Sequence, residues 1–255
     1  MKRLTRRINW PGIVLLAVLG AAWEISARWI GSPNYPGLFD VVGALYRHAG
    51  DLTQALGVTL VRAGAGFALA LVTMLPLGIC LGRLRALGAF FEPLIDLVRP
   101  LPPLAIVPVV MLFAGTGNAA KILVVFYGAA FPILINAIDA TRATHPLLVN
   151  VARSIGLSRS EIMWRIDLPA ALPQIVSGIR ISVALSLLIS VSAEMLLSTN
   201  GIGNFIVEAQ QQFEIAAGLA TILVIAVAAL CIETVFYRIE RRLLAWHHQR
   251  AALGR

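Results

Sequence analysis

Charge is scarce in this chain. Of its 255 residues only 13% are Asp, Glu, Lys or Arg, about half the share typical of a soluble domain, and the mean hydropathy is +0.83. A soluble domain of this length cannot hide so much apolar side chain, whereas a bilayer removes the need to hide it. Cysteine is almost missing as well. Cys80 and Cys231 lie far apart inside apolar runs, which speaks against a disulfide framework or a cysteine metal site and leaves them as small lipid-facing or packing residues. The four histidines, His48, His145, His247 and His248, fall at no spacing that holds zinc or completes a triad. The chain also lacks a phosphate-cradling loop. Its nearest string, GTGNAAKI at 115–122, has Ala120 before the lysine and Ile122 after it, where a P-loop needs glycine and then serine or threonine. No catalytic centre, metal site or cofactor is therefore expected in this chain.

What the sequence does have is apolar runs near the twenty residues that a helical span requires. They fall at about 13–30, 58–81, 94–114, 119–140, 175–197 and 215–237, which predicts an all-α polytopic membrane protein with six transmembrane helices. The first run follows Lys2, Arg3, Arg6 and Arg7, but Trp23 and Glu24 stand where a signal peptide has small residues for cleavage, so it reads as a span. The expected organisation is an N-terminus at 1–12, a membrane domain at 13–240 and a basic tail at 241–255. Cations alternate between the ends of the spans. One side collects the N-terminal cluster, Arg83, Arg85, Arg142, Arg153, Arg159, Arg165 and the tail residues Arg238, Arg241, Arg242 and Arg250; the other has Arg47, Lys121, Glu208 and Glu214. Both termini are therefore expected in the cytoplasm. The net charge of +8 is accounted for by this topology and by anionic headgroups, with no call for a nucleic-acid partner.

One polar segment interrupts the oily pattern: NVARSIGLSRSEIMWRIDLPAALP at 150–173. Pro146 suits a helix start, and Leu148, Val151, Ala152 and Ile155 recur at helical spacing. Gly156 supplies a left-handed helix stop. Ser158 and Glu161 have the spacing of a capping box, which opens a second helix with Ile162, Met163 and Ile166 on one face. Pro169 is expected to halt it. Such an amphipathic pair outside the spans, within a loop at 141–173, calls for a protein partner.

Ionisable residues and prolines inside the spans are the remaining leads, because a charge at depth is expensive and is paired or faces water. Glu194 either braces one end of its helix by hydrogen bonding or lines a gate. Asp96 with Arg99, and Asp139 with Arg142, are spaced for helical ion pairs, the second holding the polar loop to its helix. Pro100, Pro102, Pro103 and Pro108 crowd the third run, whose early turns cannot keep their backbone hydrogen bonds. Irregular backbone at depth is tolerated only against protein or a water-filled cavity, so this span is expected to line a pathway. Pro132 predicts a kink in the fourth span, and Gly64, Gly66, Gly78 and Gly82 predict close approach by the second.

The pattern of Ala152, Gly156, Ile166, Leu168 and Pro169, between the fourth and fifth of six runs, resembles the EAA loop of ABC importer permeases. Further strings resemble the nitrate, sulfonate, taurine and bicarbonate group of that family: WEISA at 23–27, RPLPPLAIVPVVMLFAGTGNAAKI at 99–122, FPILINAIDATR at 131–142 and AEMLLSTNGIGNFI at 193–206. The likeness covers nearly the whole chain. It departs from the family pattern at Asn150 and Val151, where glutamate and alanine are usual. The resemblance implies a type I (MetI-like) permease fold in a bacterial inner membrane, a homodimer, two cytoplasmic ATP-binding subunits that carry ATP and magnesium, and an external solute-binding protein. It assigns coupling to Ala152, Arg153, Ser154, Gly156, Leu157, Ser158, Glu161, Ile166 and Pro169. With the proline placement, it puts Arg99, Pro102, Pro103, Met111, Asn136 and Glu194 along the pathway or gate. The implied solute is a small oxoanion such as an aliphatic sulfonate, taurine or nitrate, with a heteroaromatic or vitamin-precursor solute as the alternative. An ATPase-independent secondary transporter would show inverted repeats, and the two halves of this chain do not match.

Overall fold

The computed structural model describes residues 10–143, 146–197 and 199–244. Lys2, Arg3, Arg6, Arg7, His145, Trp246, His247, His248 and Arg250 lie outside the described residues. Within them all regular structure is helical: α1 (Trp10–Ile30), α2 (Leu38–Arg47), α3 (Ala49–Arg83), α4 (Arg85–Val98), α5 (Val107–Ala114), α6 (Asn118–Arg142), α7 (Pro146–Ser154), α8 (Arg159–Ile162), a π-helical turn (Met163–Asp167), α9 (Leu168–Leu197), α10 (Ile202–Gln211) and α11 (Ile215–Leu243). Five helices are long and apolar enough to cross a membrane, and a bent pair formed by α4 and the 103–114 stretch brings the number to six.

The core is the triplet α3, α6 and α9, which pack on one another along their lengths. Lipid tails are as apolar as leucine, so helices associate through close backbone approach and interhelical hydrogen bonds rather than through hydrophobic drive. The glycines of α3 show how. A Cβ at Gly66 would lie 2.6 Å from Val125 Cβ, one at Gly78 2.6 Å from Ala137 Cβ, and one at Gly82 2.8 Å from the Ile138 carbonyl, so α3 rests against α6 at all three. The fourth expected contact is not made, because Gly64 has nothing within 4 Å. On the other face of α6, the Ser182 hydroxyl of α9 donates to the Ala129 carbonyl at 2.8 Å. Outside the triplet, α1 buries Ala27 alone and exposes Ile13, Val14, Leu15, Leu16, Val18 and Leu19, apolar on every side as a lipid-facing helix is. Cys80 and Cys231 are free and exposed.

The third run departs from expectation. Instead of one helix over 94–114, α4 begins at Arg85 and meets the 103–114 stretch at 85°. The carbonyls of Val98 and Arg99 would be served in a helix by the N–H groups of residues 102 and 103, and both are prolines without one. The Tyr127 hydroxyl of α6 steps in, donating to the Val98 carbonyl at 2.7 Å and lying 3.4 Å from that of Leu101.

Pro169 does not halt the helix either. The chain runs from α8 through the π turn into α9, with the Leu168 N–H reaching back five residues to the Met163 carbonyl. The widened turn accommodates the ring and missing N–H of Pro169 without ending the helix. Finally, α10 is a helix that the apolar runs do not predict. It packs on α9 and α11, with Ala209 in a cluster with Val41, Ala44, Ala217 and Ala220.

Replacing Gly78 with valine is expected to wedge α3 off α6 and destabilise the fold by about 1–3 kcal/mol, while Gly64→Ala leaves it unchanged. Thermal unfolding of the two variants in detergent checks this contrast.

Candidate functional site

Three constructions carry the chemistry. The first is a cavity of about 500 Å³ between the bend, α6 and α9. Its lining is apolar except for Arg99, Tyr127, Asn136 and Ser192, and includes Pro102, Pro103, Phe131 and Pro132. Four of the six residues expected on the pathway, Arg99, Pro102, Pro103 and Asn136, meet here. Asn136 is fixed by its amide donating to the Pro132 carbonyl at 2.8 Å and by Gly178, where a Cβ would come 2.6 Å from Asn136 Cβ. Met111 lies elsewhere, in the cluster around Val107, Val124 and Ile189.

A smaller cavity of about 150 Å³ adjoins it through Arg99 and collects Glu92, Asp96, Asp139 and Arg142. The helical ion pairs expected in this region are not formed. Arg142 reaches across to Glu92 of α4, Nη2 to Oε2 3.6 Å, and among the described residues Asp96 and Asp139 pair with no cation within 4.0 Å. Gly88 explains the choice: a side chain there would strike the Arg142 guanidinium, 2.6 Å from its Nη2, so the glycine leaves α4 open to it.

The second construction is a buried clasp. Glu194 is fully buried and Arg62 is 3% exposed, with Arg62 Nη1 2.7 Å from Glu194 Oε1. The other carboxylate oxygen accepts from the Thr59 hydroxyl at 2.7 Å and from the Gly203 N–H at 3.1 Å. Thr59 Oγ1 in turn accepts from the Ile202 N–H at 2.9 Å. The rest of the guanidinium donates to Asn118 Oδ1 from Nε at 2.9 Å and from Nη2 at 2.7 Å. It also donates to the Asn200 carbonyl at 3.1 Å and to Asn200 Oδ1. Gly201 adopts φ +99, and a Cβ on Gly203 would sit 2.8 Å from Glu194 Cβ, so the NGIG turn can close over the carboxylate only with glycine at both positions. Glu194 thus braces α9 against α3, α6 and the start of α10. It does not line the 500 Å³ cavity.

Sequence patterns alone do not single out Arg62, Asn118, Asn200 or Tyr127. The available signal is an arginine within one apolar run and a glutamate within another, both expensive at depth unless paired.

The third construction is the hook. After α7, the Leu157 N–H donates to the Ala152 carbonyl at 3.1 Å and the Gly156 N–H to that of Arg153 at 3.0 Å. With Gly156 at φ +82, this is a Schellman stop. Ser158 and Glu161 then form the expected capping box: the Glu161 N–H donates to Ser158 Oγ at 3.3 Å and the Ser158 N–H to Glu161 Oε2 at 3.0 Å. The Ser154 hydroxyl donates to the Asn150 carbonyl at 3.0 Å. Ala152 and Ile162 are buried at 1% and 3%, whereas Leu148, Val151, Ile155 and Trp164 are all at least half exposed. Local hydrogen bonds hold the turn and the cap, and the apolar edge is exposed. Arg83 of α3 ties the hook's far end to the bundle through Asp167 at 3.4 Å.

A family model for the inner membrane component of binding-protein-dependent transport systems matches residues 74–245, a stretch that runs from within α3 past the end of α11. The chain belongs to that family. This ABC importer permease is 29% identical over 252 residues to the taurine transport system permease protein of Escherichia coli (strain K12), covering 96% of this chain and 92% of the relative. It is 30% identical over 248 residues to a putative aliphatic sulfonates transport permease protein of Bacillus subtilis (strain 168), covering 95% and 90%. In fold it is similar to a chain of the MetNI methionine ABC transporter solved in inward-facing conformations, with a TM-score of 0.67, 19% identity and coverage of 77% and 98%. Permease subunits are non-catalytic, so ATP hydrolysis and the nucleotide with its magnesium belong to a partner ATPase.

Truncating one member of the clasp leaves the other buried and unpaired. Glu194→Leu or Arg62→Met alone is expected to destabilise this permease by about 3–5 kcal/mol, with the two together losing far less than the sum. A double-mutant cycle on unfolding in detergent measures it.

Proposed function

We propose that two copies of this permease form the translocation pathway of an ATP-driven importer, each inserting its hook into one of two cytoplasmic ATP-binding subunits and both receiving solute from an external solute-binding protein. The observation that carries this reading is the hook itself. A Schellman stop and a capping box hold a frame on which Leu148, Val151, Ile155 and Trp164 are exposed, a surface suited to a protein groove and unsuited to water. Arg153, Ser154, Gly156, Leu157, Ser158 and Glu161 shape the turn, while Ala152, Ile166 and Pro169 seat it on the bundle. Arg83, Arg85, Arg142, Arg153 and Arg165 gather at the hook end, which favours placing that end and both termini in the cytoplasm. Helices such as α1, with Leu15, Leu16 and Leu19 exposed, would face lipid of the bacterial inner membrane.

The solute class follows from the 500 Å³ cavity. Apolar walls with Arg99 among their few polar members suit a small anion that carries an organic part, such as taurine or an aliphatic sulfonate, the solutes of the two relatives above. A bare nitrate ion would leave the apolar wall without a partner. Alternation of access would come from nucleotide-driven closure of the ATPases moving the hook.

Gly156→Val forces a β-branched residue into a left-handed backbone, which costs about 1–2 kcal/mol and spoils the hook's shape. Assembly with the ATPase and solute-stimulated ATP turnover are expected to fall about tenfold, the equivalent of 1.4 kcal/mol. Undiminished co-purification and turnover would overturn the docking assignment.

A further inference from the structure

A third cavity, of about 490 Å³, lies at the root of the hook, between the end of α3, the start of α4, the end of α6 and α7. Four arginines line it, Arg83, Arg85, Arg142 and Arg153, and its one carboxylate is Asp167. Asp167 engages Arg83 at 3.4 Å, and Arg142 is 3.6 Å from Glu92, which lies outside the cavity. Among the described residues, neither Arg85 nor Arg153 has a carboxylate within 4.0 Å. Like charges repel, so four guanidiniums around one hollow with a single carboxylate in its lining favour a further anion there. The planar fork of arginine matches a phosphate with two parallel hydrogen bonds, and Asn150, also in the lining, brings a further amide donor.

We infer that this cavity binds the phosphate of an anionic phospholipid. The choice of a lipid over a dissolved phosphate rests on Leu84. It lines the cavity beside the arginines and is itself exposed, and from it Leu87, Phe91 and Leu94 continue along α4 at steps of three, four and three residues, all exposed. That is one helix face, an apolar track leading away from the phosphate pocket, where an acyl chain would lie. A lipid so placed bridges Arg153 of the hook to Arg83, Arg85 and Arg142 of the bundle. It acts as a removable tie between the hook and the bundle.

The test uses the full-length permease alone, so its outcome is independent of whether the hook docks an ATPase. Native mass spectrometry in detergent titrates phosphatidylglycerol, phosphatidylcholine and inorganic phosphate. Phosphatidylglycerol is expected to be retained in preference to phosphatidylcholine. Its apparent affinity should fall about tenfold in Arg85→Gln and again in Arg153→Gln, the size of a lost charge-assisted hydrogen bond, and stay unchanged in Arg238→Gln, a cation on α11 outside the cavity. Arg85→Lys, which keeps the charge and loses the fork, should fall between wild type and Arg85→Gln and serves if the glutamine variant fails to fold. Equal retention of the two lipids, or an equal loss in Arg238→Gln, would overturn the site. Displacement of the lipid by millimolar inorganic phosphate would assign it to a dissolved anion.

Discussion

A guanidinium and a carboxylate face each other in the buried interior of this bundle, and the geometry around them admits few alternatives. Each charge would be very expensive alone in a membrane interior, and the pair is tolerable only because nearly every donor and acceptor on it is used. Arg62 directs its three nitrogens to Asn118, Glu194 and Asn200, and Glu194 takes Thr59 and the Gly203 N–H on its second oxygen. Five pieces of chain are thereby fixed at one point: the middle of α3, the first turn of α6, the last turns of α9, the NGIG turn and the start of α10. Their mutual register at this end of the bundle is set by hydrogen-bond geometry, which is directional, rather than by apolar contact, which is not.

With one end clasped, the rest of the triplet closes by small residues. Gly66, Gly78 and Gly82 let α3 lie on α6, and Gly178 lets α9 do so from the other side. Against this tight framework the proline-rich segment cannot be a fourth packed rod. Pro102 and Pro103 cannot donate to the carbonyls of Val98 and Arg99, the Leu101 N–H and the Tyr127 hydroxyl serve Val98 in their place, and α4 meets the following stretch at an 85° bend. The 500 Å³ cavity lies between this bend, α6 and α9. Its position is thus a consequence of missing N–H groups in one element and rigid packing in the next two.

Features determined by near neighbours along the chain are legible in the amino-acid sequence. The apolar runs locate the long helices, since a span needs only length and composition. Gly156, Ser158 and Glu161 locate the hook's turn and cap, because a Schellman stop and a capping box are each complete within six residues. The proline cluster announces irregular backbone but not its remedy, because Tyr127 belongs to another helix. The clasp is illegible for the same reason: Arg62 and Glu194 are 132 residues apart, and no local pattern couples them. Short-range ion pairs fail in the opposite sense. Asp139 and Arg142 share a helix face at the right spacing, yet the opening at Gly88 offers Arg142 a carboxylate on α4 instead, and tertiary opportunity outweighs a pair worth only about a few tenths of a kcal/mol. Pro169 reads as a stop because the π turn that absorbs it is invisible to periodicity.

That π turn also decides how the hook is joined to the bundle. Had Pro169 ended the helix, a flexible joint would separate hook from span, and a push on one would be lost before reaching the other. Instead α8 continues through Met163–Asp167 into α9, and Asp167 in the widened turn is tied to the end of α3. On the other flank, α6 leads into the hook from Arg142, which is tied to α4. Under the proposed docking, movement of the hook would reach α9 directly and α4 through a side-chain tie. Both border the 500 Å³ cavity, α9 through Leu185, Leu188 and Ile189 and α4 through Arg99 at its end. The opposite end of α9 is tied by the clasp to α3, α6 and α10. On that proposal α9 would work as a lever, hinged at Glu194, driven at the π turn and acting on the cavity between them.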